Sequence, residues 1–377
     1  MNKMNVLMIS VSDMSVPTSL GVTKKIKGQY SAFQELGCTT YNLCFDNGDG
    51  VLIHGNKQKI ISKRKVKDYF TVIDLFDKAP IICKKLGIDL CYIRYPLADW
   101  SFMRMVRRLH KICKVVVEIP TYPYDEQNKK LTNIIARINL FQDKRFRDSI
   151  HKYVDRIATF SSDDTIYGTK CINISNGIDI NSVKYLGDSL VYDDTINLIG
   201  VAKIQRDHGY DKVIHALKEY YKNDTNDLTI NLHIVGSGDE EHSLIKLTKE
   251  NRLENHVFFY GVKSGKELED IYRKSNIGIG FLAAYRSGLD SISALKTKEY
   301  CAIGLPFINA VNDSAIPSEF SKKFPNTEEP ISINEIISYF EYIKAHPEIH
   351  SQMRRFAEEN LSWEKQIRTV IETINAI

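Results

Sequence analysis

Short apolar runs recur along this chain, each followed by a polar loop and then by residues with helical spacing. Val6–Val11, Thr40–Phe45, Leu90–Tyr95, Lys114–Ile119, Arg156–Ser161 and Cys171–Ile174 read as strands in the first half. Ile196–Ala202, Leu228–Val235, Val257–Tyr260, Ile277–Leu282 and Leu305–Ala310 read the same way in the second. Their near-continuous apolar character predicts strands covered on both faces, as in parallel sheets. Between them, Thr23–Leu36, Lys67–Leu86, Asp99–Lys111, Lys129–Tyr153, Glu240–Asn251 and Gly265–Lys274 carry helical periodicity. Gly37 and Gly304 supply helix stops, and Ser264 with Glu267 a capping box. This βα alternation, run twice, predicts an α/β protein of two doubly wound domains with a cleft between them. The polar, irregular stretch Asn181–Asp194 carries the boundary.

Composition narrows the class. The chain has 377 residues, 43% hydrophobic and 26% charged, as expected of a soluble globular protein of two ordinary domains. A net charge of +4 is too mild to imply nucleic acid. The seven cysteines are scattered, odd in number and without a C-x-x-C pair, which predicts reduced, buried thiols and a cytosolic setting. The amino terminus reads as a first strand rather than a signal peptide, and no apolar run approaches the ~18 residues of a membrane span. The basic run from Lys57 to Lys67 reads as a solvated face. Arg104, Arg107, Arg108 and Lys111 form one helical stripe, and Arg137, Lys144, Arg145 and Arg147 lie on the next helix. These read either as the charged exterior of a helix layer or as a face for an anionic membrane surface.

Three stretches carry candidate chemistry. The first is Ser291–Pro306, in which a helix follows a strand and a loop. Leu295 and Lys296 fall in its first turn, where backbone N–H groups lack partners and favour an anion. Glu299 lies one turn further on the face of Leu295, positioned either to accept hydroxyl hydrogen bonds or to be solvated. The second is the loop Lys203–Gly209, where Lys203, Arg206 and His208 read as a compact cationic site for a pyrophosphate or else as a solvated loop. The third is Glu118–Glu126, a strand-end loop with two prolines and two tyrosines, including Tyr122. Glu118 there reads as a substrate contact or acid/base group, or equally as a local pairing partner. Gly21, leading into a helix, serves either a phosphate or loop geometry. No G-x-G-x-x-G follows the first strand, which argues against a nicotinamide site. The acidic pairs Asp163-Asp164 and Asp193-Asp194 read as caps, so no metal site is expected.

Taken together, these motifs resemble the retaining glycosyltransferases of the GT-B fold, glycosyl transferases group 1. The likeness spans nearly the whole chain and is strongest over Ile196–Ala310. The family's G-R-L-x-x-x-K-G is matched by GVAKIQRDHG, with Lys203 at the arginine and His208 at the lysine. Its I-V-G-x-G-x-E and V-x-F-x-G are matched by Ile234–Glu240 and Val257–Gly261. Its E-x7-E motif is matched only at the second glutamate, Glu299; Ser291 stands at the first, with Asp290 one residue away. Ser293 to Tyr300 match the subgroup reading S-x-L-K-x-x-E-Y, and SNGID matches the N-G-x-D turn before the linker.

The resemblance implies two Rossmann-like domains, 1–187 on the acceptor side and 188–361 on the donor side, with a terminal helix over 362–377 crossing back. It implies a metal-independent transferase moving a sugar, with retention, from a nucleotide-diphosphate donor (UDP or GDP) to an acceptor hydroxyl; the basic helices of the first half point to an anionic glycan or lipid-linked acceptor, as in bacterial surface-polysaccharide assembly. Lys203, Arg206, His208, the amides of Leu295 and Lys296, and Gly21 would hold the donor. Val262 would contact its base and Glu299 its ribose. Lys203, His208 and Glu118 are the catalytic candidates, with Arg94 and Tyr122 on the acceptor side. Competing readings are a nucleotide-sugar epimerase on the same fold and a non-catalytic nucleotide-sugar or membrane-surface binding protein. The setting implied is cytoplasmic, with contact at the inner membrane face and no nucleic acid.

Overall fold

The apolar runs pair as parallel strands in two sheets. The computed structural model describes residues 4–16, 20–66, 68–124, 134–222, 228–313 and 315–377. The chain divides into one unit of Met1–Gly177 with Trp363–Ile377 and a second of Ile178–Ser362.

In the first unit the strands are β1 (Asn5–Asp13), β2 (Thr39–Asp46), β3 (Asp49–His54), β4 (Lys57–Ser62), β5 (Leu90–Arg94), β6 (Lys114–Ile119), β7 (Arg156–Thr159), β8 (Thr165–Ile166) and β9 (Thr169–Asn173). Among the described residues they form one sheet in the order β4-β3-β2-β1-β5-β6-β7-β9-β8. The centre is parallel; β3, β4 and β8 add antiparallel pairing at the flanks. From β1 the chain winds first to β2 and later to β5 on its other side, so the topological switch point lies between β1 and β5. The lysine run expected as a solvated face supplies edge strand β4. Its exposed Lys57 and Lys59 blunt an open hydrogen-bonding edge.

The helices of this unit are α1 (Leu20–Glu35), α2 (Asp68–Leu86), α3 (Trp100–Leu109), α4 (Ile134–Phe146) and, from the far end of the chain, α11 (Trp363–Asn375). The residues expected as the start of the α4 helix, 129–133, lie outside the described residues. Helix α11 packs on α1 and buries Trp363, Ile367, Val370 and Ile374, a single helical stripe. Gly28 and Gly177 make room for the indole: a Cβ on either would stand 2.2 Å or 2.5 Å from it.

The second unit is wholly parallel among its described strands. These are β10 (Thr195–Val201), β11 (Thr229–Val235), β12 (Val257–Phe259), β13 (Ile277–Ile279), β14 (Phe307–Asn309) and β15 (Ser321–Lys323), in the order β12-β11-β10-β13-β14-β15. Helices α5 (Tyr210–Tyr220), α6 (Glu241–Glu250), α7 (Gly265–Tyr272), α8 (Leu295–Ile303), α9 (Ile333–Ala345) and α10 (Glu348–Asn360) surround it. The switch point lies between β10 and β13. No described helix is long and apolar enough to cross a membrane.

Two tyrosines anchor helices over the second switch point. Tyr300 of α8 is fully buried, and its hydroxyl donates to the carbonyls of Ile199 and Ile279 at 3.2 Å each, one from each strand beside the switch. Gly278 admits its ring: a Cβ there would stand 2.8 Å away. Gly200 admits Tyr210 of α5 in the same manner, at 2.4 Å.

Candidate functional site

The carboxyl ends of β10 and β13 meet the amino terminus of α8, all within the second unit. After β10 the chain passes through Lys203 and a single 3-10 turn, Arg206–His208, and reverses at Gly209 (φ 70°) into α5. This loop is stitched to the chain after β13. Leu282 N donates to His208 O at 3.2 Å and Ala283 N to Asp207 O at 3.1 Å. It is also clamped from behind. Arg286 donates to both carboxylate oxygens of Asp211, at 2.9 and 2.8 Å, and to Arg206 O at 3.0 Å. On the other side lies the turn after β11, which touches backbone directly. A Cβ on Gly236 (φ 131°) would stand 1.8 Å from Ala202 O, and one on Gly238 would stand 2.2 Å from Ile204 O.

Helix α8 begins at Leu295 with Ala294 as its N-cap, a residue whose side chain cannot cap it. The amides of Leu295 and Lys296 therefore open its first turn, the positions expected from sequence. Glu299 is half-buried one turn further along. Behind the helix, Lys298 and Asp313 form a buried ion pair. Val262, just past Gly261, is exposed. Asp290, beside the missing first glutamate, accepts a hydrogen bond from Asn326 at 3.1 Å, and Ser291 bridges to Asn312.

The three expected cations of the loop do not act alike. Lys203 and Arg206 are exposed, with Arg206 Nε 3.9 Å from Glu240. The third, His208, is not on the surface. It is buried, packed against Tyr210 and Phe281, and burial together with the nearby Lys296 ammonium pushes its pKa down to about 2. Its Nδ1 accepts from Gln205 N at 3.3 Å, which leaves Nε2–H as the donor. His208 is thus a neutral hydrogen-bond donor and not a cation.

The residue that sequence reasoning missed is the Lys296 side chain. The sequence points to its amide, yet its Nζ turns inward and donates to Gly280 O at 2.5 Å, above the Phe281 ring at 4.3 Å. Burial pulls its pKa down to about 7, opposed by the Asp207 carboxylate. The signal was a lysine between Ala294 and Thr297 on the inner side of a helix, where a long cationic chain has no solvent-facing reason to be.

In the first unit the candidates are arranged differently. Glu118 lies among hydrogen-bond donors. It is fully buried at the end of β6, and its carboxylate accepts from Gln29 Nε2 at 2.5 Å, Tyr92 OH at 2.8 Å and Arg94 Nη1 at 2.6 Å. It is the pairing partner that the sequence left as the other choice. Arg94 ends β5 beside the switch point, partly exposed and held by Glu118. Tyr122 precedes a cis proline, with its ring edge-on to Tyr167 at 5.7 Å. Gly21 lies inside the first turn of α1 and not in a loop. The basic stripe on α3 is half neutralised: Arg104 and Arg108 share Asp77, at 2.5 and 3.7 Å, and Arg104 stacks on exposed Trp100. Arg107 is exposed on α3, as is Lys111 just beyond it.

Two Rossmann-like, doubly wound units in one chain define the GT-B class of fold. Within it, residues 185–358, just under half of the chain, match the family model described as Glycosyl transferases group 1. No curated protein matches the chain. Among solved structures it is similar to sucrose-phosphate synthase from Thermosynechococcus elongatus, with a TM-score of 0.68 at 16% identity, covering 99% of this chain and 100% of that one. It is similar also to a glycosyltransferase from Rickettsia africae, at 0.67 and 14%, covering 100% and 99%. A third is Anabaena Alr3699/HepE in complex with UDP, at 0.61 and 13%, covering 99% and 100%.

Proposed function

We propose that this protein is a glycosyltransferase that moves a sugar, with retention, from a nucleotide-diphosphate donor to an acceptor hydroxyl. The observation that carries the reading is the amino terminus of α8, with alanine at its N-cap, at the switch point of the second unit, with Glu299 one turn along and the family match lying over it. The donor's glycosidic C–O bond breaks, its electron pair leaving with the diphosphate; the acceptor oxygen bonds to the same carbon, and the acceptor's hydroxyl proton passes to the departing diphosphate. Groups aimed at that charge lower the barrier. Lys203, Arg206, the amides of Leu295 and Lys296, and the neutral His208 Nε2–H take that role, with the Lys296 ammonium beneath them. Glu299 holds the ribose hydroxyls, and the backbone at Val262 holds the base. UDP is the nucleotide to test first, because Alr3699/HepE is described in complex with it.

On the first unit, Arg94 and Tyr122 face the acceptor in this reading, and Gly21 borders the donor. A glycan or lipid-linked acceptor at an anionic membrane surface is supported by exposed Trp100 and Arg107 on α3, with Lys111 just past it. Polysaccharide or glycoconjugate assembly is the corresponding process, at the cytoplasmic face.

The test is a thermal-shift panel of UDP, GDP and ADP with their sugars, on the full chain and on Glu299→Ala and Lys203→Ala. A donor at ~100 times its Kd adds about 2.7 kcal/mol to the unit that binds it. Both variants are expected to keep their fold and lose the shift and the transfer. Absence of any nucleotide binding at millimolar concentration, or full transfer by both variants, rejects the assignment.

A further inference from the structure

Three of the seven cysteines converge at the opposite, amino-terminal end of β5 from Arg94. Cys83 belongs to the last part of α2, Cys91 to β5, and Cys113 to the residue before β6. They are 8 and 22 residues apart along the chain, yet their sulfurs all lie within 4.8 Å of one another. Cys83 and Cys91 are 3.2 Å apart and Cys91 and Cys113 are 3.5 Å apart. No other group of metal-ligating side chains this close occurs among the described residues.

The backbone holds the triangle. Cys83 O accepts from Ile88 N at 3.1 Å, and Cys113 N donates to Leu109 O at 3.0 Å. Cys91 sits in the parallel ladder opposite Leu7 and Val115. The surroundings are apolar, with Ile88, Leu109 and Val115 in the same core, apart from the Asp155 carboxylate on the Cys113 side. Cys83 and Cys91 have no solvent exposure, while Cys113 is half-buried and gives the cluster one open side.

We infer that Cys83, Cys91 and Cys113 form a three-thiolate site for a soft, thiophilic metal ion, of which Cu(I) is the type. Thiolates select soft ions, and an apolar shell with one entry side suits an ion that needs no water ligand. Zinc is disfavoured by count, since its structural sites take four ligands and no histidine or carboxylate joins these three. Binding displaces thiol protons, which leave to solvent on the Cys113 side, and forms metal–sulfur bonds without any change of oxidation state. The ion would tie α2, β5 and the approach to β6 together and so stabilise the first unit. The inference is independent of the proposed transferase activity.

The test is a Cu(I) titration of the reduced full chain against a chromophoric Cu(I) chelator, under exclusion of air. One Cu(I) per chain is expected to be retained, with thiolate-to-Cu(I) charge-transfer absorption and a rise in the unfolding temperature of the first unit. Cys113→Ser, the half-buried and mildest change, is expected to weaken retention at least about tenfold, or about 1.4 kcal/mol. Cys171→Ser, a half-buried thiol outside the cluster, is expected to change nothing. Failure of the native chain to compete for Cu(I), equal retention by Cys113→Ser, or a disulfide among the three thiols overturns the site.

Discussion

Lys296 shows how one side chain can tie chemistry to proton concentration. Its ammonium faces the Asp207 carboxylate, the neutral His208 ring, the Gly280 carbonyl and the faces of Phe281 and Tyr210. Below about pH 7 the folded and unfolded chains both hold its proton. Between about 7 and the ordinary lysine value of 10.5, only the unfolded chain does. Stability of the second unit therefore rises with pH across that window, by at most about 1.4 kcal/mol per pH unit, and is lost as pH falls back through 7. Lys296→Met is expected to remove this slope. Urea midpoints of native and variant chains at about pH 7 and about pH 9 measure it, and parallel profiles would refute the assignment. Asp207 moves the other way: burial raises its carboxyl pKa, and Lys296 opposes the rise.

At the scale of elements, strands β5 and β6 are joined by a side-chain network as well as a ladder. Removing one partner strands a charge. Arg94→Ala leaves the Glu118 carboxylate buried with Gln29 and Tyr92 as its donors among the described residues and the Lys25 ammonium as its nearby cation, and is expected to cost the first unit about 3 kcal/mol. Adding Glu118→Gln to Arg94→Ala is expected to recover at least about 1 kcal/mol of that loss in denaturant unfolding. Purely additive effects would show that the pair is uncoupled.

The same network marks where the sequence stops being readable. Lys114–Ile119 reads as a strand and is one, to the residue, because an unbroken apolar run with β-branched members leaves little choice. The first turn of α8 was legible from Gly304, Pro306 and the strand before it. The partners of Glu118 were not, because Gln29 and Tyr92 come from 89 and 26 residues away. Burial of His208 was hidden too: a histidine among polar loop residues reads as solvent-facing, and only Phe281, from after β13, covers its ring beside Tyr210. Strand β15, Ser321–Lys323, carries no apolar signal and exists through its backbone pairing with β14. The β3–β4 hairpin was masked by its lysines.

At the scale of the molecule, the first unit is assembled from both ends of the chain. Trp363 fills the space left by Gly28 and Gly177, so Trp363→Ala is expected to cost the first unit about 3–5 kcal/mol. The second unit should be unmoved, which two-phase thermal unfolding with and without UDP can read out. A uniform drop in both phases would refute that independence.

That discontinuity also bears on synthesis. As the chain leaves the ribosome, everything from Ile178 to Ser362 emerges before the last segment the first unit needs. The inserted unit can complete its fold while the earlier one still has an open glycine-lined slot and an uncovered apolar flank on α1. The inserted unit can therefore mature first, with that surface of the earlier unit left uncovered until Trp363 arrives.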